Sequence, residues 1–176
     1  MTPTEAKRIF ERAVARLLAD DLAADMPQGF PNTVGERPLA FRLALYMAEG
    51  GAEVDGLRVD CDYNRHGTSV KVFLASKVEG EEPEEPAQRR FFPDIVLHRR
   101  GDDSANILVC EIKRVGDRRD PDIDRGRLIA LTRRGGGFCY KLGAFVQIDQ
   151  NAPRISVEYF AEGRPVGQQI CPEDFR

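Results

Sequence analysis

Three observations predict an α/β fold with a mixed sheet. Apolar residues recur at helical spacing in three segments, near positions 3–25, 35–50 and 120–134. Short runs rich in Ile, Val and Leu, bounded by turn residues, indicate strands between and after these helices. The order strand, helix, strand from Ile107 to Ile148 requires a helical crossover, which joins parallel strands. We therefore expect one sheet with both antiparallel and parallel neighbours.

Composition limits the possible classes of protein. The 176 residues suit a single domain, 1–176. A net charge of −3, from 26 basic and 29 acidic residues, argues against a non-specific coat on nucleic acid. No apolar run approaches the roughly 18 residues of a membrane span, and the N-terminus lacks a signal peptide, so we expect no membrane partner and a cytoplasmic location. The four cysteines stand singly, which argues against a zinc site or disulfide framework.

The first helix has a strong start signal. Thr2 is a good N-cap, Pro3 fits the first helical position, and Glu5 completes a capping box. The helix is expected to continue to about Asp25. Its apolar stripe consists of Ile9, Phe10, Val14, Leu17, Leu18 and Leu22.

A second helix is expected from about Gly35–Pro38 to Gly50–Gly51. Glu36 lies on its inward, apolar face. It either serves the helix N-terminus, with Thr33 in a capping box, or points at the sheet as an additional carboxylate. The inward stripe comprises Leu39, Leu43, Tyr46 and Met47.

Residues 57–64 alternate and predict a half-buried strand. Its inward residues are Leu57, Val59, Cys61 and Tyr63, and Asp60, Asp62 and Asn64 face outward or into a cleft. The segment Ser69–Leu74 is either a strand or a short helix. The acidic run Glu79–Pro86 predicts a solvated loop.

The most informative stretch is a predicted hairpin, formed by Phe91–His98 and Ile107–Lys113. The alternation of side chains places Glu111 and Lys113 on one face of the second strand. If the strands pair, Asp94 converges with them at one end. Charges on buried strands must be paired or must hold a metal, so an ion pair and a metal site are both open.

The rest of the chain completes the sheet. Asp120 caps a third helix and Pro121 occupies its first turn. Residues 138–148 predict the parallel strand. Ile155–Phe160 alternates and predicts an edge strand, to which the tail Gly163–Arg176 adds a short hairpin partner.

This order of elements, with Pro93-Asp94 and Glu111-Ile112-Lys113, resembles the PD-(D/E)xK nuclease superfamily. Glu36 matches the extra acid that many members carry on a preceding helix. The resemblance implies a restriction-endonuclease-like αβββαβ core at 35–148, with an added N-terminal helix and connection at 1–30 and a C-terminal strand extension at 153–176. Two further stretches look similar to a poorly characterised bacterial subset, Phe41–Tyr46 and Val59–Arg65.

The resemblance also implies a chemistry. Asp94 and Glu111 would bind Mg²⁺ or Mn²⁺ with the backbone carbonyl of Ile112. Lys113 would orient or deprotonate the attacking water, with a pKa depressed by the nearby metal. Glu36 would bind a second metal or order a water. Asp94, Glu111, Lys113 and Glu36 are therefore the predicted catalytic residues.

We expect a metal-dependent nuclease, with DNA favoured over RNA as the nucleic-acid partner, acting in defence or DNA repair. A homodimer or a complex with another protein is also expected. Two alternatives stay open: a catalytically silent nuclease-like domain used for nucleic-acid binding or assembly, and a structural protein with an ion-pair network. Weaker site candidates are His98, Asp60, Asp62, Arg99, Arg100, Arg118, Arg119 and Arg127.

Overall fold

The fold is described from a computed structural model of the 176-residue chain. The structure describes residues 1–22, 29, 34–63, 65–66, 69–70, 72–74, 88–90 and 92–171. The predicted loop at Glu79–Pro86 and the predicted partner Thr33 lie outside the described residues.

Three α-helices form where the sequence predicts them: α1 is Pro3–Leu17, α2 is Glu36–Met47 and α3 is Pro121–Thr132. The capping box is present, because the Thr2 side chain accepts from the Glu5 backbone while the Glu5 carboxylate accepts from Thr2. Single π-helical turns extend α1 to residue 22 and α2 to residue 52. The second turn contains Gly51, whose φ of 89° suits glycine, and ends at Ala52.

Ten strands are described: β1 Arg58–Cys61, β2 Arg65–His66, β3 Ser69–Val70, β4 Val72–Leu74, β5 Gln88–Arg90, β6 Ile95–His98, β7 Leu108–Arg114, β8 Leu142–Asp149, β9 Arg154–Ala161 and β10 Arg164–Cys171. The main sheet has six strands in the order β1-β6-β7-β8-β9-β10. The shorter strands form two small two-stranded sheets, β2-β3 and β4-β5. Residues 69–70 and 72–74 are thus strands, and the helical alternative for that segment is wrong.

The predicted hairpin and crossover are both confirmed. β6 and β7 pair antiparallel, with Ile95 opposite Cys110 and Val96 opposite Val109. α3 then carries the chain back, so β7 and β8 pair in parallel, with Glu111 opposite Phe145. The mixed sheet follows from this one crossover between otherwise antiparallel neighbours.

Two expectations about the sheet are wrong. β9 is an inner strand because the tail forms β10, a strand of eight residues that takes the edge position. β1 is shorter than predicted, since Asp62 has a φ of 51° that ends the extended backbone. Cys61, expected to face inward, is consequently exposed at the end of the strand.

The sheet lies between two apolar layers. On one face α1 and α2 bury the larger core, to which β7 contributes Leu108, Cys110 and Ile112. On the other face α3 covers a smaller core that includes Val96 and Val109. Side chains alternate along β7, so Glu111 and Lys113 lie on the same face of the strand as Val109. That face is the one covered by α3.

Gly143 on β8 fixes how closely α3 approaches the sheet. A Cβ atom there would lie 3.1 Å from Thr132 Cγ2 and 3.2 Å from Phe160 Cβ. A side chain at this position would need these neighbours to shift by a few tenths of an ångström, so glycine favours the close packing of Leu128 on α3 over the strand. Asp124, one helical turn before Leu128, is thereby carried over β7.

An ion-pair network fixes α2 against the end of α1. Asp21 accepts hydrogen bonds from Arg42 Nε at 3.1 Å and from the Tyr46 hydroxyl at 2.7 Å. The stretch Phe41–Tyr46 thus has a structural task, which is to set the position of α2. Within the part of the chain that the structure describes, no helix is long and apolar enough to cross a membrane.

Candidate metal and catalytic site

Five charged side chains from four elements meet where β6 begins and β7 ends. Glu36 comes from the first turn of α2, Asp94 from the residue before β6, Glu111 and Lys113 from β7, and Asp124 from α3. The structure therefore brings together the four predicted catalytic residues and adds Asp124, which the sequence analysis did not select.

Asp94 is fixed by the backbone of the neighbouring strand. Its Oδ2 accepts a hydrogen bond of 2.6 Å from the Ile112 N–H. In an extended strand the N–H and C=O of one residue point to the same side, so the Ile112 carbonyl faces the side on which Asp94 lies. Burial raises the pKa of Asp94 to about 6, and the charges of Glu36 and Asp124 add to this effect.

Glu111 is deeply buried, with 3% of its surface exposed. Burial raises its pKa well above the ordinary value, and the charges of Asp94 and Asp124 raise it further. Its Oε1 atom has no hydrogen-bond partner among the described residues. A buried carboxylate oxygen without a partner is costly, so this atom indicates a ligand that the protein itself does not supply.

Lys113 forms its ion pairs with two other acids of the site. Its Nζ lies 3.0 Å from Asp124 Oδ2 and 3.6 Å from Glu36 Oε2. Burial lowers the pKa of Lys113, but the hydrogen bond to Asp124 and the charges of Asp124 and Glu36 outweigh it, so the pKa is raised. The protein's own groups thus keep Lys113 protonated, in contrast to the depressed pKa expected beside a metal.

Asp124 is 2% exposed and pairs with two cations. Besides Lys113 it binds Arg127, whose Nη1 lies 2.7 Å from its Oδ1. The sequence contains one indication that Asp124 is buried. Asp124, Leu128 and Leu131 are spaced at i, i+4 and i+7, which places them on one face of the helix. An acid on the apolar stripe of a helix points to a buried cation, and the cation here is Lys113.

The sequence left open whether Glu36 serves the N-terminus of α2 or points at the sheet. In the structure it points at the sheet, where it contacts Arg114 and Lys113 of β7. Its Oε1 accepts from the Arg114 backbone N–H at 3.4 Å, and its Oε2 pairs with Arg119 and Lys113. The N-cap of α2 is Gly35, which makes no side-chain capping bond. Glu36 is therefore already neutralised by protein cations, and its role with a second metal stays a prediction.

The predicted metal ligands suit a hard divalent cation that takes few of its ligands from the protein. Among the described residues, neither Asp94 nor Glu111 forms an ion pair, although both are desolvated. No group of three or more His, Cys, Asp or Glu side chains in that part of the chain is arranged to hold a metal. Mg²⁺ commonly takes one or two carboxylates and completes its octahedron with water and substrate phosphates. Asp94 and Glu111, with the Ile112 carbonyl, match that pattern.

His98 and Asp60 form a separate network beside the site. Asp60 Oδ2 lies 3.0 Å from His98 Nε2 and accepts from Arg100 Nε at 2.8 Å. The Tyr63 ring packs edge-on against His98, with centroids 4.3 Å apart. The hydrogen bond from Arg100 lowers the pKa of Asp60 against the effect of burial, and His98 adds to the lowering. These residues satisfy one another.

Most of the candidate phosphate-binding arginines are engaged by acids. Arg99 pairs with Asp102, Arg100 with Asp60, Arg119 with Glu36 and Asp117, and Arg127 with Asp124.

A cleft of about 460 Å³ opens onto the site. Its lining residues are Glu36, Arg37, Asp62, Phe92, Asp94 and Arg119. Arg37 and Arg119 are well exposed, with 87% and 63% of their side chains accessible. Solvent and solutes therefore reach Asp94 along a surface that carries both charges and one aromatic ring.

Comparison of the chain with models of protein families, with curated proteins and with solved structures finds no match. The assignment of function consequently depends on the chain's own residues and on the geometry of this site.

Proposed function

We propose that the chain is a metal-dependent nuclease of the PD-(D/E)xK type, which hydrolyses phosphodiester bonds in nucleic acid, with DNA as the favoured substrate. The observation that carries the proposal is the buried pair Asp94 and Glu111, with the unpartnered Oε1 of Glu111. When the short strands β2–β5 outside the main sheet are left out, the elements follow the order α2, β1, β6, β7, α3, β8, which supports the proposal because it agrees with the αβββαβ order that the resemblance implies.

Each group of the site has a task in such a reaction. Asp94, Glu111 and the Ile112 carbonyl hold Mg²⁺ or Mn²⁺. When bound, the ion supplies Lewis-acid stabilisation of the negative charge that develops on the phosphate. Protonated Lys113 orients the attacking water and stabilises charge on the phosphate oxygens.

The experiment is a cleavage assay on plasmid, single-stranded and branched DNA and on RNA, with Mg²⁺ or Mn²⁺. Asp94→Ala, Glu111→Ala and Lys113→Ala should each abolish cleavage, and EDTA should abolish that of the wild type. Cleavage that survives all three substitutions would overturn the proposal.

A second candidate is a silent nuclease-like domain that binds nucleic acid or assembles with a partner. The pairing of Glu36 and Lys113 with protein groups favours it, since an inactive site can also be held together by such ion pairs. Stable nucleic-acid binding without hydrolysis on any of these substrates would select this candidate.

A further inference from the structure

Among the described residues that line the cleft beside Asp94, Phe92 is the apolar one, and it lies open to solvent. Phe92 is 50% exposed, although it stands two residues before the metal-site aspartate. An aromatic ring in a charged cleft is poorly explained by packing, because the sheet's two cores do not include it. Its accessible face is suited to stacking against a flat ring of a ligand.

Two arginines line the same cleft as this ring. Arg37 Nε lies 3.8 Å from Asp62 Oδ2, a long and exposed ion pair that contributes little and is easily exchanged. Arg119 pairs with Glu36 and Asp117. Guanidinium groups on exposed stems beside an aromatic ring form the combination that binds the phosphates and bases of an unpaired strand.

An exposed aromatic side chain in this cleft favours an unpaired nucleotide over a base pair. A cleft of about 460 Å³ lies in the range of pockets that enclose small ligands. In a duplex the faces of the bases are covered by their neighbours, so a base must leave the stack before an aromatic side chain can contact it. Phe92 therefore gains a stacking partner only from single-stranded or locally opened nucleic acid.

We propose that the Phe92 cleft binds an unpaired nucleotide next to the scissile phosphate, with its base on Phe92 and a neighbouring phosphate on Arg37. This inference rests on the proposed function and names its substrate class as single-stranded or locally unpaired nucleic acid. The cleft also contains the acids Glu36, Asp62 and Asp94, so a divalent cation should strengthen binding by reducing their repulsion of phosphate.

The test measures binding without requiring cleavage. Fluorescence anisotropy compares a labelled single-stranded DNA oligonucleotide with its duplex, in EDTA and in Ca²⁺. The wild type should bind the single strand at least about fivefold more tightly, because stacking contributes that much per base. Phe92→Ala should remove the preference.

Matched controls separate stacking and phosphate contacts from general surface effects. Phe41→Ala removes an equally exposed phenylalanine, at 61%, which does not line the cleft, and should change affinity less than twofold. A plot of the logarithm of the association constant against the logarithm of the salt concentration has a negative slope. Arg37→Ala should make this slope less steep by about 0.7, which is the value for one phosphate of a single strand. Arg134→Ala, an 81% exposed arginine paired with Glu162, should leave that slope unchanged.

Equal affinity for single strand and duplex, an unaltered preference in Phe92→Ala, or no detectable binding would each overturn the inference. These outcomes are independent of hydrolysis. Failure of the proposed function appears instead as cleavage that is absent or independent of Asp94 and Glu111, so the two failures can be distinguished.

Discussion

Asp60 on β1 and Asp94 before β6 lie on the same face of the sheet, yet they meet opposite electrostatic surroundings. Asp60 lies opposite Val96, and Asp94 precedes Val96 by two residues, so both side chains share the α3 face. Asp60 has Arg100 and His98 as partners, and its pKa is lowered. Asp94 has one backbone N–H and a second buried acid, and its pKa is raised to about 6.

The difference teaches how to separate a structural charge from a functional one on the same sheet. Where protein groups neutralise a carboxylate, its charge is part of the fold and its removal weakens the fold. Where two desolvated carboxylates form no ion pair with a described residue, the folded protein bears an electrostatic cost. We expect an added cation to relieve that cost, and four predictions test this contrast.

The largest expected effect is the loss of activity in Glu111→Gln. The amide keeps the shape of the side chain but removes the charge that holds the cation, so cleavage should fall at least about 10²-fold. Asp60→Asn should change cleavage less than about threefold.

Without metal, Glu111→Gln should be as stable as the wild type or more stable, because the repulsion between two buried acids is removed. Initial rates and urea denaturation measure the two effects, and a destabilised but active Glu111→Gln would show that the two regions are alike.

Asp60→Asn should reduce the free energy of unfolding by about 1–2 kcal/mol, because a neutral amide replaces the carboxylate that pairs with Arg100 and contacts His98. The folded-state pKa of Asp60 lies below its unfolded value, so its stabilisation is present above the unfolded pKa and is lost as the pH falls through the folded one. Urea denaturation should thus show a smaller difference from the wild type at pH 3 than at pH 7. A difference that grows toward acid pH would contradict this account.

Asp124→Asn should lower kcat about tenfold with little change in KM, because Lys113 loses the charge that fixes its position. Asp124 acts through Lys113, so it is a positioning residue. Asp122→Asn is the matched control, since this acid lies on the same helix and is 79% exposed. If Asp124→Asn raises KM alone, or if both variants behave alike, the positioning role is wrong.

The smallest effect concerns metal binding itself. Mg²⁺ at about ten times its Kd should raise the Tm of the wild type by about 3–6 °C, from the linkage of binding to folding. The shift should persist in Asp60→Asn and vanish in Glu111→Gln. Differential scanning fluorimetry with and without EDTA measures it, and an equal shift in both variants would place the cation elsewhere.

Local rules predicted the elements well. The Thr2–Glu5 capping box, the Asp120-Pro121 start of α3 and the glycine end of α2 each depend on neighbours in the sequence, and all three are confirmed. The antiparallel pairing of β6 and β7 was predictable too, because a short polar turn joins two apolar runs.

Properties set by distant contacts escaped prediction. The inner position of β9 depends on the pairing of β10, and the end of β1 depends on the backbone of Asp62. Asp124 was overlooked because its role appears only when α3 packs on β7 and brings Lys113 within 3.0 Å. The convergence of Asp94 and Glu111 was predictable from alternation, but their lack of a cation was visible only in three dimensions.

The hydrogen bond from the Ile112 N–H to Asp94 has a consequence for the life of the chain in the cell. The bond exists only after β6 and β7 are joined, and Asp124 reaches Lys113 only after α3 has been synthesised and docked. Contacts between residues distant in sequence form late in folding. A nascent or misfolded copy therefore lacks the assembled group of charges, which forms only after α3 has docked on the sheet.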